Sequence, residues 1–313
     1  MQTEEIFDRK ILEENKICKR MDKIEFIRLP FYTPTNIYQH SIITINGNKR
    51  YFMKKLKDKN NTPYFNQELT TALYFSKLKM TPTVVYHDWD QNIIITKYIN
   101  RKKICLNWLI PKLAKKIRAF HNSGFIYEKQ SYLSIKDIWL DKFQKLPLKI
   151  QEDFRPLFNI VSRMYGCYDL EDEVTSHNDL HMGNILIGNN LYIIDFDHLS
   201  KNTKYFDFAT LAIYLRLNEK QEHFLLKKYD SKYCYKKYST QKIICIARYG
   251  MSDLSHIENI LNIKQISTVL REPFSFQCKN YSDIDLARLE SAYNWLNYLK
   301  YFDKYHDMKN NKI

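Results

Sequence analysis

Glycine is scarce, with six in 313 residues, and two of the six, Gly183 and Gly188, fall in one short stretch. Long apolar runs are absent: nothing approaches the ~20 consecutive residues that a bilayer-spanning helix needs. The first residues, M-Q-T-E-E-I-F-D-R-K, lack the basic-then-apolar order of a secretory signal, so a cytoplasmic protein is expected. The six cysteines, Cys18, Cys105, Cys167, Cys234, Cys245 and Cys278, form no C-x-x-C pair, which argues against a zinc ribbon and against a small disulfide scaffold. Acidic residues are in deficit, 35 against 49 Lys and Arg, for a formal charge of +14. Such a charge can mark a polyanion partner, but the lysines are dispersed. K-K-L-K-D-K at 54–59 and R-K-K at 101–103 are too short for a dedicated surface, so a solvated lysine-rich exterior is expected and nucleic acid is not.

What is present suffices for a sizeable core: 44% of the residues are hydrophobic. I-Y-Q-H-S-I-I-T-I-N-G-N-K-R-Y-F-M-K mixes β-branched and aromatic residues around an Asn-Gly-Asn turn and predicts a hairpin. N-Q-E-L-T-T-A-L-Y-F-S-K-L-K predicts a helix with Glu68 in its first turn, ending before Thr81-Pro82. Two more strands follow around Asp90-Gln91-Asn92, the second ending near Ile99. Beyond Asn100 the pattern turns helical. The clearest stripe is Leu106, Leu109, Ile110, Leu113, Ala114, Ile117 and Phe120, opposite Lys112, Lys115, Lys116 and Arg118, and Gly124 is a natural stop. Further helices are predicted over 205–217, 219–229 and 282–305, the last opened by S-D-I-D. The organisation expected is α+β: a small antiparallel sheet with one helix over 1–99 and a larger, mostly helical part over 100–313.

The most informative stretch is V-T-S-H-N-D-L-H-M-G-N-I-L-I-G-N-N-L-Y-I-I-D-F-D-H-L-S, residues 174–200. Phosphoryl transfer from a nucleotide needs a carboxylate for the attacking hydroxyl, oxygen ligands for Mg2+ and a cation on the phosphates. His177-x-Asp179-x-x-x-x-Asn184 fits a catalytic loop in which Asp179 takes the hydroxyl proton and Asn184 reaches the metal. A tight hairpin, Ile185–Ile187, Gly188-Asn189-Asn190 and Leu191–Ile194, would return Asp195 beside Asn184. His181, two residues after Asp179, would face the same way and touch phosphate or acceptor. Asp197 is a candidate second metal ligand.

H-N-D-L-H-M-G-N-I-L resembles the catalytic loop of the aminoglycoside phosphotransferase and choline kinase superfamily, small-molecule relatives of protein kinases, nearest to its bacterial choline and ethanolamine kinase-like members. L-Y-I-I-D-F-D-H-L-S-K-N-T-K-Y-F-D-F-A resembles the same superfamily's metal segment and following helix. The resemblance implies a two-lobed protein-kinase-like fold and ATP- and Mg2+-dependent transfer to a small alcohol. It implies Lys54 of Y-F-M-K on the α- and β-phosphates, Glu68 as its partner, and backbone groups of Tyr98 and Ile99 on the adenine. His177 would support the loop by packing, and Asp207 would buttress its backbone. The turn that covers the nucleotide carries glycines in relatives; here F-Y-T-P-T-N-I-Y offers hydroxyls and Asn36 instead. D-F-D, with only nine residues between Asp197 and Asp207, leaves no room for the activation loop of a peptide kinase. Trp295 and Tyr298 resemble the aromatic pair that choline kinases set around a quaternary ammonium, though the same spacing suits a core stripe. Choline or ethanolamine leads as acceptor, with an aminoglycoside, thiamine or another small alcohol as alternatives. A catalytically silent kinase-fold binding module is the alternative of another class.

Overall fold

The computed structural model describes residues 9–10, 12–19, 21–29, 37–125, 132–257 and 284–310. In chain order the first elements are β1 (Ile24–Arg28), β2 (Tyr38–Ile45), β3 (Asn48–Leu56), α1 (Thr62–Lys77), β4 (Val84–Asp88), β5 (Ile93–Lys97) and α2 (Leu106–His121). They are followed by α3 (Tyr132–Gln144), α4 (Leu148–Met164), β6 (Glu173–Ser176), β7 (Ile185–Ile187), β8 (Leu191–Ile193) and β9 (Ser200–Thr203). Helices α5 (Lys204–Tyr214), α6 (Glu219–Tyr229), α7 (Tyr235–Ser255) and α8 (Ile284–Asn310) complete the set. The class is mixed α+β. Among the described residues no helix is long and apolar enough to cross a membrane.

The chain divides into two compact units, residues 1–120 with 179–199, and 121–178 with 200–313. The first is built on an antiparallel sheet of order β1-β2-β3-β5-β4. Asn46 (φ 51°) and Gly47 (φ 76°) both take left-handed backbone between β2 and β3, the conformation a two-residue hairpin turn demands. In β5 the run Ile93-Ile94-Ile95 is buried on both faces: Ile93 and Ile95 join Leu12, Ile43 and Met53 in one cluster, and Ile94 joins Tyr38, Phe65 and Leu69 in the other. The β7–β8 hairpin belongs to this unit.

The second unit pairs β6 with β9 and is otherwise helical. Apolar positions Ile150, Phe154, Leu157 and Val161 face the interior from α4. Gly250 of α7 permits close helix packing, since a Cβ there would stand 2.4 Å from Leu157 Cδ1 and 3.2 Å from Trp295 Cβ.

Several boundaries differ from the sequence reading. Helix α1 starts at Thr62, with Pro63 in its first turn where a missing N–H costs nothing. Glu68 therefore lies in the second turn. Helix α5 stops at Tyr214 instead of 217, because Arg216 turns left-handed (φ 51°) and the Leu217 amide reaches back to the Ala212 carbonyl, 3.0 Å, closing the end as a Schellman motif. Helices α3, α4 and α7 were not predicted individually. The S-D-I-D cap and Asn36 with its turn lie outside the described residues, the cap in its first two positions.

Candidate active site

Strand alternation buries Lys54 of β3 (8% exposed) opposite His40 of β2 and Ile94 of β5, while Lys55 points the other way. The Lys54 ammonium sits 3.0 Å from Glu68 Oε1 of α1 and 3.1 Å from Asp195 Oδ1. It also lies over the Tyr38 ring, 4.1 Å from the centroid. Burial opposes the charge on Lys54, but Glu68, Asp195 and Asp197 more than offset it and hold the pKa well above the ordinary value. Burial raises the Glu68 carboxyl, against the pull of Lys54 and helped by the neighbouring Asp197 and Asp195. His40 is pushed down to about 4 by burial and by Lys54, so it is neutral at pH 7.

The β7–β8 hairpin ends in an Ile194 N–H to Asn184 carbonyl bond of 3.0 Å, which brings Asp195 back to Asn184. Asp195 adopts φ 68°, a conformation that costs a residue with a Cβ about 1–2 kcal/mol. Carboxylate oxygens of Glu68, Asp195 and Asp197 lie within 4.8 Å of one another. Three carboxylates against one ammonium leave a negative, all-oxygen donor set, which suits a hard divalent cation such as Mg2+.

In the loop before the hairpin, the Asn184 amide nitrogen donates to the Asp179 carbonyl at 2.9 Å and stands 3.4 Å from Asp179 Oδ2. His181 Nδ1 accepts from the Gly183 N–H at 2.9 Å, which leaves the proton on Nε2, 3.5 Å from Asp179 Oδ2. Gly183 is required for this fold-back: a Cβ would stand 2.5 Å from His181 Cε1. In the connector after β5, the Tyr98 amide donates to the Arg50 carbonyl, 2.9 Å. The Tyr98 carbonyl and the Ile99 amide have no backbone partner among the described residues.

In the second unit, fully buried Asp207 accepts the backbone N–H groups of His177 and Asn178, both at 2.9 Å, and the His121 Nε2–H at 3.0 Å. Burial pushes its pKa up, and the His121 bond with the His177 amide more than offsets this, so the carboxyl lies below its ordinary range. His121 is oriented in turn by the Tyr229 hydroxyl, 2.8 Å from Nδ1. Asn178 is left-handed (φ 63°), and its side chain is held by Ser176 O, Ser200 Oγ and Asn202 Nδ2. The His177 side chain is fully buried. Sequence reasoning missed His121 and Tyr229. The only available signal was A-F-H-N at the end of the α2 stripe.

Lys54, Glu68, Asp179, His181, Asn184, Asp195 and Asp197 thus share one compact unit, and His177 and Asp207 meet in the other. Trp295 lies in the second unit. It is 3% exposed, stacks on Tyr249 at 5.1 Å, meets Tyr214 edge-on and donates its indole N–H to Asp253 at 3.1 Å. Tyr298 is half-buried.

Residues 132–237 match the phosphotransferase enzyme family. An uncharacterized protein of Metamycoplasma hominis is 29% identical over 157 residues, 49% of this chain and 31% of the relative, so the chain spans about a third of that relative's length. The fold is similar to that of the choline kinase LicA from Streptococcus pneumoniae (TM-score 0.61, 16% identity, 95% of this chain and 100% of that one). It is similar also to choline kinase from Cryptosporidium parvum (TM-score 0.67, 13% identity, 98% and 97%). A third similar structure is APH(2″)-IIa in its ternary complex with streptomycin and ATP (TM-score 0.56, 15% identity, 84% and 94%). The match over 132–237 thus falls within a chain whose fold is similar to those of the solved choline kinases and of APH(2″)-IIa.

Proposed function

We propose that this chain transfers the terminal phosphoryl group of ATP, with Mg2+, to the hydroxyl of a small molecule, choline or ethanolamine foremost. The observation that carries the proposal is the convergence of Lys54, Glu68 and Asp195 within 3.1 Å contacts, in the same unit as the Asp179–Asn184 pair. Lys54 neutralises the inner phosphates and Glu68 holds it in place. Asn184, Asp195 and Asp197 would hold Mg2+ through their oxygens, and the ion would supply positive charge against the phosphates. Asp179 accepts the proton of the attacking hydroxyl, with His181 steadying its carboxylate. Tyr98 and Ile99 offer one carbonyl and one amide to adenine, and Asn36 is assigned to the phosphate-covering turn. Residues 1–99 form the nucleotide-binding part, and 100–313 the catalytic and acceptor-binding part, of a cytoplasmic enzyme.

Trp295 and Tyr298 are assigned to the acceptor wall, since a quaternary ammonium offers no donors and is held by aromatic faces. The burial of Trp295 favours a competing role in packing, and Trp295→Ala separates the two. Loss of a wall raises KM for the acceptor about five- to thirtyfold and leaves KM for ATP unchanged. Loss of packing costs about 3–5 kcal/mol of stability and lowers every activity together. The proposal as a whole is tested by ADP release from Mg-ATP across choline, ethanolamine, thiamine, homoserine and aminoglycosides. Acceptor-dependent release with choline or ethanolamine supports it. Release with another member reassigns the acceptor, and release with none, despite bound nucleotide, favours a silent module.

A further inference from the structure

The solvent-facing side of α2 carries Trp108, Lys112, Lys115 and Lys116, spaced i, i+4, i+7 and i+8 and therefore on one helical face. With the turn around Asn189 they line a cavity of about 390 Å³ that contains no carboxylate. Among the described residues none of the three ammonium groups has an acidic partner. Lys112 lies over the Trp108 ring, and Lys116 donates to the Lys79 carbonyl at 2.7 Å and lies over Tyr192. Burial alone pushes the Lys116 pKa down, with no anion to offset it. Like charges three and four residues apart on a helix repel, so this arrangement is neutralised best by a bound anion.

We propose that the cavity binds a small phosphate ester, its phosphate among Lys112, Lys115 and Lys116 and its organic part against Trp108. A phosphate monoester brings close to two negative charges and three acceptor oxygens, where a carboxylate brings one charge. Trp108, 46% exposed, supplies a flat apolar wall, and the Asn189 oxygen is taken by Lys102 Nζ at 2.8 Å, which leaves its amide NH2 as a donor. The site is separate from the candidate active site, none of whose residues line it. The two are joined by one hairpin. Gly188 at its tip approaches Ile99 so closely that a Cβ would stand 2.8 Å from Ile99 Cγ2, and its base holds Asn184 and Asp195.

The test titrates phenyl phosphate and, separately, inorganic phosphate into the full chain, read by calorimetry and tryptophan fluorescence. Lys112 and Lys115 are exposed, so K112Q/K115Q leaves the core untouched, and a melting curve checks its fold. Saturable phenyl phosphate binding that weakens with salt, and weakens about tenfold or more in K112Q/K115Q, is expected. W108F should lose the fluorescence response. No saturable binding, or equal affinity in wild type and K112Q/K115Q, overturns the site. Inorganic phosphate binding as tightly as phenyl phosphate overturns the role of Trp108.

Discussion

Asp207 shows how a single side chain prepares a loop. Its carboxylate collects three donors in full burial, two of them the backbone groups of the residues immediately before Asp179. Asp207→Asn replaces one acceptor oxygen with an NH2 that faces a donor, and a buried mismatch of this kind costs about 2–4 kcal/mol. Melting temperature and turnover should both fall. Because the folded pKa of Asp207 is depressed, its contribution to stability is present at neutral pH and is lost as pH falls through and below the ordinary carboxylate range. Gly183→Ala separates position from stability. The added methyl group meets only the His181 ring, a partly exposed side chain that can swing aside. Stability should change by less than about 1 kcal/mol. Transfer, if His181 steadies Asp179, should slow several-fold, and kcat measured beside a melting curve checks both.

At the scale of elements, α7 and α8 are tied by Asp253, which accepts from Ser291 Oγ at 2.6 Å and Trp295 Nε1 at 3.1 Å. Burial pushes its pKa up to about 6, against those two bonds. The folded state therefore takes up this proton at higher pH than the unfolded chain does. Its contribution to stability falls as pH rises from about 4 to about 6 and is level above, by at most about 3 kcal/mol. Asp253→Asn, which keeps an acceptor for both donors, should flatten that part of the profile and stabilise the protein at pH 7 to 8. An unchanged profile in chemical denaturation at several pH values would contradict the assignment. Gly250→Ala should destabilise by about 1–3 kcal/mol despite alanine's better helix propensity, because the methyl group collides with Leu157. The elements most legible in sequence were those whose own pattern settles them. The stripe of α2 and the Asn-Gly turn before β3 needed no tertiary context, whereas the start of α1 rested on Pro63 at a position that also suits a turn. Spacing along α8 does not decide whether Trp295 packs or binds, since both roles use the same helical period, and its burial and its contacts with Tyr249 and Tyr214 appear only in three dimensions.

For the whole molecule, residues far apart in sequence had to converge for any site to exist, and the 141 positions between Lys54 and Asp195 close to a 3.1 Å contact. Asp179, Asn184 and Asp195 were legible from the spacing of one loop and hairpin, whereas the pairing of Lys54 with Glu68 came from the family resemblance alone. His121 was not, since a lone histidine at a helix end looks like any packed residue until Asp207 is seen beside it. If this cluster moves phosphate as proposed, Asp179 acts on the acceptor and not on the nucleotide. The most direct measurement compares wild type with Asp179→Asn for both Mg-ATP affinity and acceptor-dependent ADP release. Affinity should stay within about twofold, and turnover should fall by about a hundredfold or more. Undiminished turnover in Asp179→Asn would remove Asp179 from the role of base.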